Sequence, residues 1–167
     1  MAVVYLSLGS NTGDRVGYIQ QAVKMLAEND KTTLIRCSAF YETEPCENKN
    51  QPDFINAVAE MKTKLSPEEL LNVCNDIEKK LGRVRTEERY MPRTIDIDII
   101  LYDDLVVNSE RLTIPHAKMH ERAFVLVPLL ELIPNHIHPV FKKSLSEIFE
   151  ELENPEDVNL YGTKDEQ

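Results

Sequence analysis

Two aspartates on a predicted strand follow directly after a cluster of arginines, and this stretch is the best suited to chemistry. The segment from Arg83 to Arg93 contains four arginines, and Pro92 predicts a loop there because proline interrupts a helix. From Thr94 to Tyr102 the sequence alternates as a β-strand does, with Asp96 and Asp98 on one face. Such side chains lie roughly 6 to 7 Å apart. Both carboxylates would therefore share one space beside several guanidinium groups, which predicts a site for a metal ion and polyphosphate.

The other face of this strand is predicted to be apolar and buried, and its members are Ile95, Ile97, Ile99 and Leu101. An alternative interpretation treats the arginines as a solvated charge run that pairs with Glu87 and Glu88. The adjacent Asp-x-Asp strand favours the ligand site over that alternative.

The composition sets the background for this site. The chain has 29 acidic and 19 basic residues and a formal charge of -10, which disfavours binding to nucleic acid or to an anionic membrane. Its 167 residues, 42% of them hydrophobic, predict a single domain over residues 1–167. Because we find neither an apolar run of ~20 residues nor a secretory leader, we expect a soluble, cytoplasmic protein. The scattered cysteines at 37, 46 and 74 predict reduced, packed thiols.

The sequence before Ser66 predicts three strands and one helix. These are a strand over Val3 to Leu8, a helix from about Asp14 to Glu28, and strands over Thr33 to Tyr41 and Asp53 to Thr63. The Gly-Ser-Asn turn at 9–13 lacks the spacing of known phosphate-binding loops, so we interpret it as a connection. Glu44 to Pro52 predicts an exposed loop long enough to close over a ligand. Asn56 would lie among apolar neighbours, where its amide makes a core hydrogen bond or reads the polar edge of a heterocycle.

A second helix is marked at both ends. Ser66 and Glu69 form a capping box around Pro67, and Gly82 ends the helix. Glu78 lies at the margin of the apolar stripe of this helix. It would be either solvated, as glutamate usually is, or an acceptor for a ligand hydroxyl.

The remaining elements predict a hairpin and two helices. A hairpin arm covers about 103–110, helices cover Phe124 to Leu132 and Ser144 to Leu152, and the tail 153–167 is expected to be flexible. The order predicts an α+β fold, a ferredoxin-like βαββαβ sandwich with helices on one face of an antiparallel sheet, followed by a helical C-terminal extension.

Four histidines raise the question of zinc. His116 and His120 are four residues apart and His136 and His138 are two apart, but zinc needs three or four ligands and no consistent third candidate exists. We therefore interpret His116, near Arg111 and Arg122, as part of a second cationic group for phosphate oxygens.

Six motifs in order resemble a known family. They are Gly9-Ser10-Asn11, Tyr41-x-Thr43-Glu44-Pro45, Gln51-Pro52-Asp53-Phe54-x-Asn56, Gly82-Arg83-Val84-Arg85, Glu88-Arg89-Tyr90-x-Pro92-Arg93-Thr94-Ile95-Asp96-Ile97-Asp98, and Pro115-His116-x-x-Met119-x-x-Arg122-x-Phe124-Val125-Leu126-x-Pro128-Leu129. With these motifs, the sequence resembles the 6-hydroxymethyl-7,8-dihydropterin pyrophosphokinases of folate biosynthesis over about Val3 to Pro134. Departures from the common pattern are Tyr90, Met91, Cys46-Glu47-Asn48 and Ala117.

The resemblance implies transfer of the β,γ-pyrophosphoryl group of ATP to the pterin hydroxymethyl oxygen, with release of AMP. It implies two Mg²⁺ ions on Asp96 and Asp98, phosphate contacts from Arg83 and Arg93, and a lid over Arg83 to Pro92. The nucleotide residues it implies are Glu78 at the ribose, Ile99 and Thr113 at the adenine, and Arg111, His116 and Arg122 at the triphosphate. The pterin residues it implies are Thr43, Glu44, Cys46, Phe54, Asn56, Asp96 and Phe124. We expect a monomer whose partners are these two substrates.

Two other classes of function remain open at this point. Nucleotidyltransferases also combine a Gly-Ser turn with an Asp-x-Asp strand, although their Gly-Ser usually precedes the aspartates closely. A noncatalytic ferredoxin-like binding module is the other alternative.

Overall fold

The computed structural model describes residues 1–44, 51–82 and 94–162. In chain order its elements are β1 (Ala2–Ser10), α1 (Arg15–Glu28), β2 (Thr32–Cys37), β3 (Phe40–Thr43), β4 (Phe54–Thr63), α2 (Pro67–Lys80), β5 (Asp96–Tyr102), β6 (Val107–Asn108), β7 (Thr113–Ile114), a 3₁₀ turn (Met119–Glu121), α3 (Ala123–Leu132), α4 (Leu145–Glu150) and β8 (Val158–Gly162). The mixed α+β class predicted from the sequence is confirmed.

The main sheet is antiparallel and is built around β1. The strands follow the order β5-β1-β4-β3-β8, and β2 also pairs with β4. Gly9 of β1 lies between Asn56 of β4 and Asp96 of β5 in the registers of these pairs. The predicted ferredoxin-like βαββαβ arrangement is therefore confirmed, and β1 lies between the acidic strand β5 and β4.

The single strand predicted over Thr33 to Tyr41 is wrong, because the chain breaks into β2 and β3. At the break, the Ser38 N–H donates to the Val58 carbonyl at 2.8 Å, and the Ser38 hydroxyl accepts from the Val58 N–H at 2.9 Å. The hydroxyl replaces one ladder bond, so the strand can bend without leaving Val58 unsatisfied.

The helix caps follow the sequence signals closely. Ser66 and Glu69 form the predicted capping box of α2, and Gly82 beyond its end has a left-handed φ of 91°. Asp14 caps α1 by accepting from the Gly17 N–H at 3.1 Å. Ser144 forms a second capping box with Glu147 at α4.

Two buried clusters lie on opposite faces of the sheet. Helices α1 and α2 pack on the first face, as predicted, and α3 and α4 cover the second face. One part of the predicted strand pattern is wrong, because Leu101 packs in the second cluster whereas Ile97 and Ile99 pack in the first. The pairing of β1 with β5 shifts by one residue between Leu6–Ile99 and Tyr5–Leu101, and this bulge reverses the facing of every later side chain.

Helix α3 is held to the sheet at its C-terminal end by a polar network. Arg36 donates to Glu60 at 2.6 Å and to the carbonyl of Leu132 at 2.9 Å, and Tyr5 also donates to Glu60. The contact satisfies a carbonyl at the end of α3, which has no partner within the helix.

The prediction of a flexible tail over 153–167 is wrong for β8, which pairs with β3 from Thr43–Val158 to Phe40–Gly162. A five-residue strand with a partner more than 100 residues away has too weak a local signal to be predicted. Residues 163–167 lie outside the described part.

Among the helices of the described residues, none is both long and apolar enough to span a membrane.

Candidate functional site

A row of residues across three strands forms the floor of the candidate site. Asn56, Gly9 and Asp96 are direct neighbours on β4, β1 and β5. A Cβ atom at Gly9 would lie 2.7 Å from Asn56 Oδ1 and 3.7 Å from Phe54 Cδ1. Because Gly9 has no side chain, the side chains of Asn56 and Phe54 pack close to its backbone. Asn56 and Asp96 are two strand spacings apart, about 10 Å, and the buried Gly9 lies between them.

The Asn56 amide is fixed by a second buried side chain. Asn56 is 4% exposed and donates to the Thr43 hydroxyl at 3.1 Å, and Thr43 is also buried. This bond orients the amide so that its oxygen lies over Gly9. The sequence left open whether Asn56 makes a core hydrogen bond, and the structure shows that it makes one. Thr43, Asn56 and Phe54, all predicted pterin residues, are thereby brought together.

Asp96 and Asp98 are half-buried and lie at the start of β5. Asp98 is opposite Ser7 as Asp96 is opposite Gly9, so small residues of β1 flank both carboxylates. Within the described ranges, no group of three or more His, Cys, Asp or Glu side chains is arranged to hold a metal ion. Two carboxylates are nevertheless a donor set that suits Mg²⁺, which commonly takes one or two carboxylates and completes its shell with water and substrate phosphates.

Glu78 connects α2 to the backbone between the two aspartates. Its Oε2 accepts a hydrogen bond from the Ile97 N–H at 2.8 Å, and the side chain is only 2% exposed. The solvated alternative for Glu78 is therefore wrong. Since β5 is at the edge of the sheet, this carboxylate satisfies an edge N–H and fixes the strand that carries Asp96 and Asp98.

His116, Arg122 and Phe124 lie on the α3 side of the site. Burial and the positive charge of Arg122 lower the pKa of His116 to about 4, against the opposing effect of the Asp96 carboxylate. Its Nδ1 accepts from the Lys118 N–H at 3.2 Å, so the ring proton is on Nε2. The lowered pKa favours a neutral His116 ring that can donate through its Nε2–H, and the predicted contact of His116 with phosphate oxygens stays a prediction. Arg122 lies 5.5 Å from the centre of the Phe124 ring.

The remaining predicted nucleotide-binding residues lie in the β6–β7 hairpin and on β5. Arg111 is exposed and donates to Glu68 at 2.9 Å and to Asn72 at 2.8 Å, both on α2. Thr113 is half-buried on β7, and Ile99 is 4% exposed in the first core cluster. The structure thus places Arg111 against α2, where a phosphate would compete with Glu68 for its guanidinium group.

Three predicted site residues, Arg83, Arg93 and Cys46, lie outside the described residues, as does the proposed lid from Arg83 to Pro92. Glu44 is exposed just after β3.

The sequence interpretation missed the role of Gly9, which it placed in a turn rather than in β1. The available signal was a glycine directly after an apolar strand run, which often marks a close backbone approach.

Comparison with known sequences gives a consistent result. The sequence profile described as 7,8-dihydro-6-hydroxymethylpterin-pyrophosphokinase matches residues 5–134. The chain is 45% identical over 130 residues to the 2-amino-4-hydroxy-6-hydroxymethyldihydropteridine pyrophosphokinase of Bacillus subtilis, covering 78% of this chain and 77% of the relative. It is 44% identical over 147 residues to the Aquifex aeolicus protein of the same name, covering 88% and 90%.

Other relatives are much longer than this chain. The match to the Folic acid synthesis protein fol1 of Schizosaccharomyces pombe is 44% identical over 163 residues and spans 98% of this chain but only 22% of that protein. Among solved structures, wild-type Plasmodium falciparum HPPK-DHPS is similar with a TM-score of 0.69 at 19% identity, over 89% of this chain and 44% of that one. At that identity the structural similarity supports the fold alone.

Proposed function

The chain belongs to the 7,8-dihydro-6-hydroxymethylpterin-pyrophosphokinase family, and from this premise we propose that it transfers the pyrophosphoryl group of ATP to 6-hydroxymethyl-7,8-dihydropterin. The products are AMP and the pterin pyrophosphate, an intermediate of folate biosynthesis. The single observation that carries the proposal is the row Asn56–Gly9–Asp96. It offers a polar amide, a backbone position without a side chain and a carboxylate, in the order that a flat heterocycle with one reactive arm requires.

The acceptor pterin lies across Gly9 in this proposal. Asn56 reads the polar edge of the ring, and Phe54 and Phe124 stack on its faces. The hydroxymethyl arm then extends toward Asp96, about 10 Å from Asn56. Thr43 contributes by fixing the Asn56 amide, and the pterin-side loop with Glu44 and Cys46 closes this end of the site.

Asp96 and Asp98 hold Mg²⁺, in this proposal two ions, because their oxygens are hard ligands on one face of a rigid strand. When bound, the ions supply positive charge that aligns the attacking and leaving oxygens. Asp96 also orients the pterin hydroxyl toward the β-phosphorus, and the bond from that phosphorus to the α-phosphate oxygen breaks. Glu78 and the backbone of Ile97 keep both carboxylates in register during this step.

The triphosphate is held by cationic and N–H donors around the aspartates. Arg122 and Asp96 both lie close enough to His116 to affect its pKa, and Arg111 can exchange Glu68 for phosphate. Arg83 and Arg93 complete the phosphate contacts by the family resemblance, with Arg83 to Pro92 as a lid that excludes water. Ile99 and Thr113 line the adenine pocket, and Glu78 is near the ribose.

Product analysis tests this function. With ATP, Mg²⁺ and the hydroxymethylpterin, we expect equal amounts of AMP and pterin pyrophosphate by ion-exchange chromatography. Released pyrophosphate would instead indicate a nucleotidyltransferase, and released ADP a simple kinase. Either result would refute the proposal.

The metal assignment is tested by Asp96→Asn and Asp98→Asn, with Asp104→Asn as the matched control. Asp104 is exposed just beyond the same strand. We expect each site variant to lose at least about a hundredfold in turnover, the size associated with a misplaced reacting group. The control should keep full activity and all three variants should keep the folded circular dichroism spectrum. Full activity in the Asp98 variant would contradict the assignment.

The lid is tested by deletion of 87–91. We expect turnover to fall far more than ATP affinity, because a lid acts mainly by excluding water and completing the site. Equal losses in both quantities would count against a closing role.

We further propose that the protein works as a cytoplasmic monomer without nucleic-acid or membrane partners, and sedimentation analysis checks the oligomeric state.

A further inference from the structure

The segment just before and within β8 contacts both sides of the acceptor site although it lies outside the region matched by the family profile, which ends at residue 134. On one side, Glu156 Oε2 accepts a hydrogen bond from the Phe124 N–H at 3.1 Å. On the other, β8 pairs with β3, and Val158 is the register partner of Thr43.

The hydrogen bond from the Phe124 N–H to Glu156 satisfies a donor at the start of α3. Phe124 is the second residue of α3, so its N–H has no acceptor within the helix. The N-cap residue of α3, Arg122, makes no side-chain cap hydrogen bond. Glu156 supplies the missing acceptor from 32 residues away, and its negative charge is favourable at a helix N-terminus.

The pairing of β8 fixes Glu156 in place. Only one residue separates Glu156 from the first residue of β8, so strand pairing restricts where the carboxylate can lie. The far end of β8 is held as well, since the guanidinium carbon of Arg15 lies 5.5 Å from the centre of the Tyr161 ring. Arg15 also donates to Glu42 at 2.8 Å and to the Asp53 carbonyl at 2.9 Å, next to Thr43 and Phe54.

We propose that Glu156 is a positioning residue for the acceptor: it caps α3 and holds Phe124 at the angle needed to stack on the pterin. The proposal rests on the function proposed above. Glu156 does not touch the reacting atoms and acts through the backbone of Phe124. A role in stability alone would lower the melting temperature without changing the affinity for one substrate relative to the other.

Steady-state kinetics of the full-length protein separate these roles. The variants are Glu156→Ala, Glu156→Gln, which keeps an acceptor oxygen, and Glu153→Ala, which removes the same charge from an exposed position. We expect Glu156→Ala to raise the pterin KM about three- to tenfold, in line with the loss of one cap, and to change the ATP KM less than about twofold. Glu156→Gln should restore most of the pterin affinity, and Glu153→Ala should match the parent.

Two results would overturn the proposal. One is an equal rise of both KM values in Glu156→Ala, and the other is a pterin KM for Glu156→Gln as high as that of Glu156→Ala. Hydrogen exchange adds a readout that does not need activity: without substrates, Glu156→Ala should exchange faster at the start of α3, and unchanged exchange there would refute the cap. If the parent protein makes no AMP with the pterin, the proposed function fails, while the exchange experiment still decides whether Glu156 fixes Phe124.

Discussion

Replacement of Gly9 by alanine is the most direct test of the floor of the site. The added Cβ would lie 2.7 Å from Asn56 Oδ1, whereas ordinary contact begins at 3.4 Å, so the amide oxygen must retreat by about 0.7 Å. Asn56 is buried, and its amide is bonded to Thr43 at 3.1 Å. The retreat therefore breaks or strains that hydrogen bond.

The magnitude follows from two opposing contributions. Loss of a buried hydrogen bond costs about 1–3 kcal/mol. Alanine is otherwise better than glycine inside a strand by about 0.5–1 kcal/mol, and Gly9 is not among the described glycines with positive φ. We expect a net loss of about 1–2 kcal/mol in the free energy of unfolding. We also expect the pterin KM to rise about tenfold or more, since the displaced amide no longer meets the ring.

Urea unfolding and pterin titration measure the two effects, and a double-mutant cycle provides the control. In an Asn56→Ala background the atom that the Cβ would meet is absent. There Gly9→Ala should be neutral or slightly stabilising, which gives a coupling energy of about 1–3 kcal/mol. Equal destabilisation in both backgrounds would show that the close approach of Asn56 to Gly9 is not the cause.

Three further predictions follow from contacts away from the floor. Glu78→Ala should lower the free energy of unfolding by about 1–3 kcal/mol because it leaves the Ile97 N–H unsatisfied, whereas Glu78→Gln keeps an acceptor; equal losses in urea unfolding would contradict this. Burial, and to a smaller extent the charges of the nearby His120 and His136, lowers the pKa of His138 from 6.5 to about 4. Between these pH values the unfolded chain therefore takes up a proton that the folded chain does not. Stability should thus fall as the pH drops from 6.5 to 4, and His138→Asn should reduce that slope in pH-dependent unfolding. Glu68→Gln removes the ion pair that competes for Arg111 and should lower the ATP KM by no more than about threefold, a modest effect because both side chains are exposed; a raised KM would argue against exchange.

Local features of the fold could be predicted because they depend on neighbouring residues. The capping box at Ser66 and Glu69 needs only four consecutive positions, and the alternation that placed Asp96 and Asp98 on one face needs only five. Each family motif is likewise a short stretch of sequence, and the order of these motifs along the chain carries the resemblance.

The features that could not be predicted depend on partners far away in the sequence. The bulge that turns Leu101 to the second face is set by pairing with β1, and β8 is set by the free edge of β3. The burial of Glu78 depends on an N–H nineteen residues ahead, and the helical spacing alone could not decide between solvent and strand. The pKa of His116 falls because of burial that no charge pattern reveals.

The central position of β1 has a consequence for how the chain folds. Its two sheet partners, β4 and β5, are formed by residues about 50 and about 90 positions later, and Val4 pairs with Tyr102. Contacts of such long sequence separation slow folding, because the loops must close before the pairs can form. On the ribosome, the acidic strand can join the sheet only after most of the chain has been synthesised. The substrate floor is therefore assembled late, and until then the edge of β1 that β5 will cover is exposed to pairing with other chains.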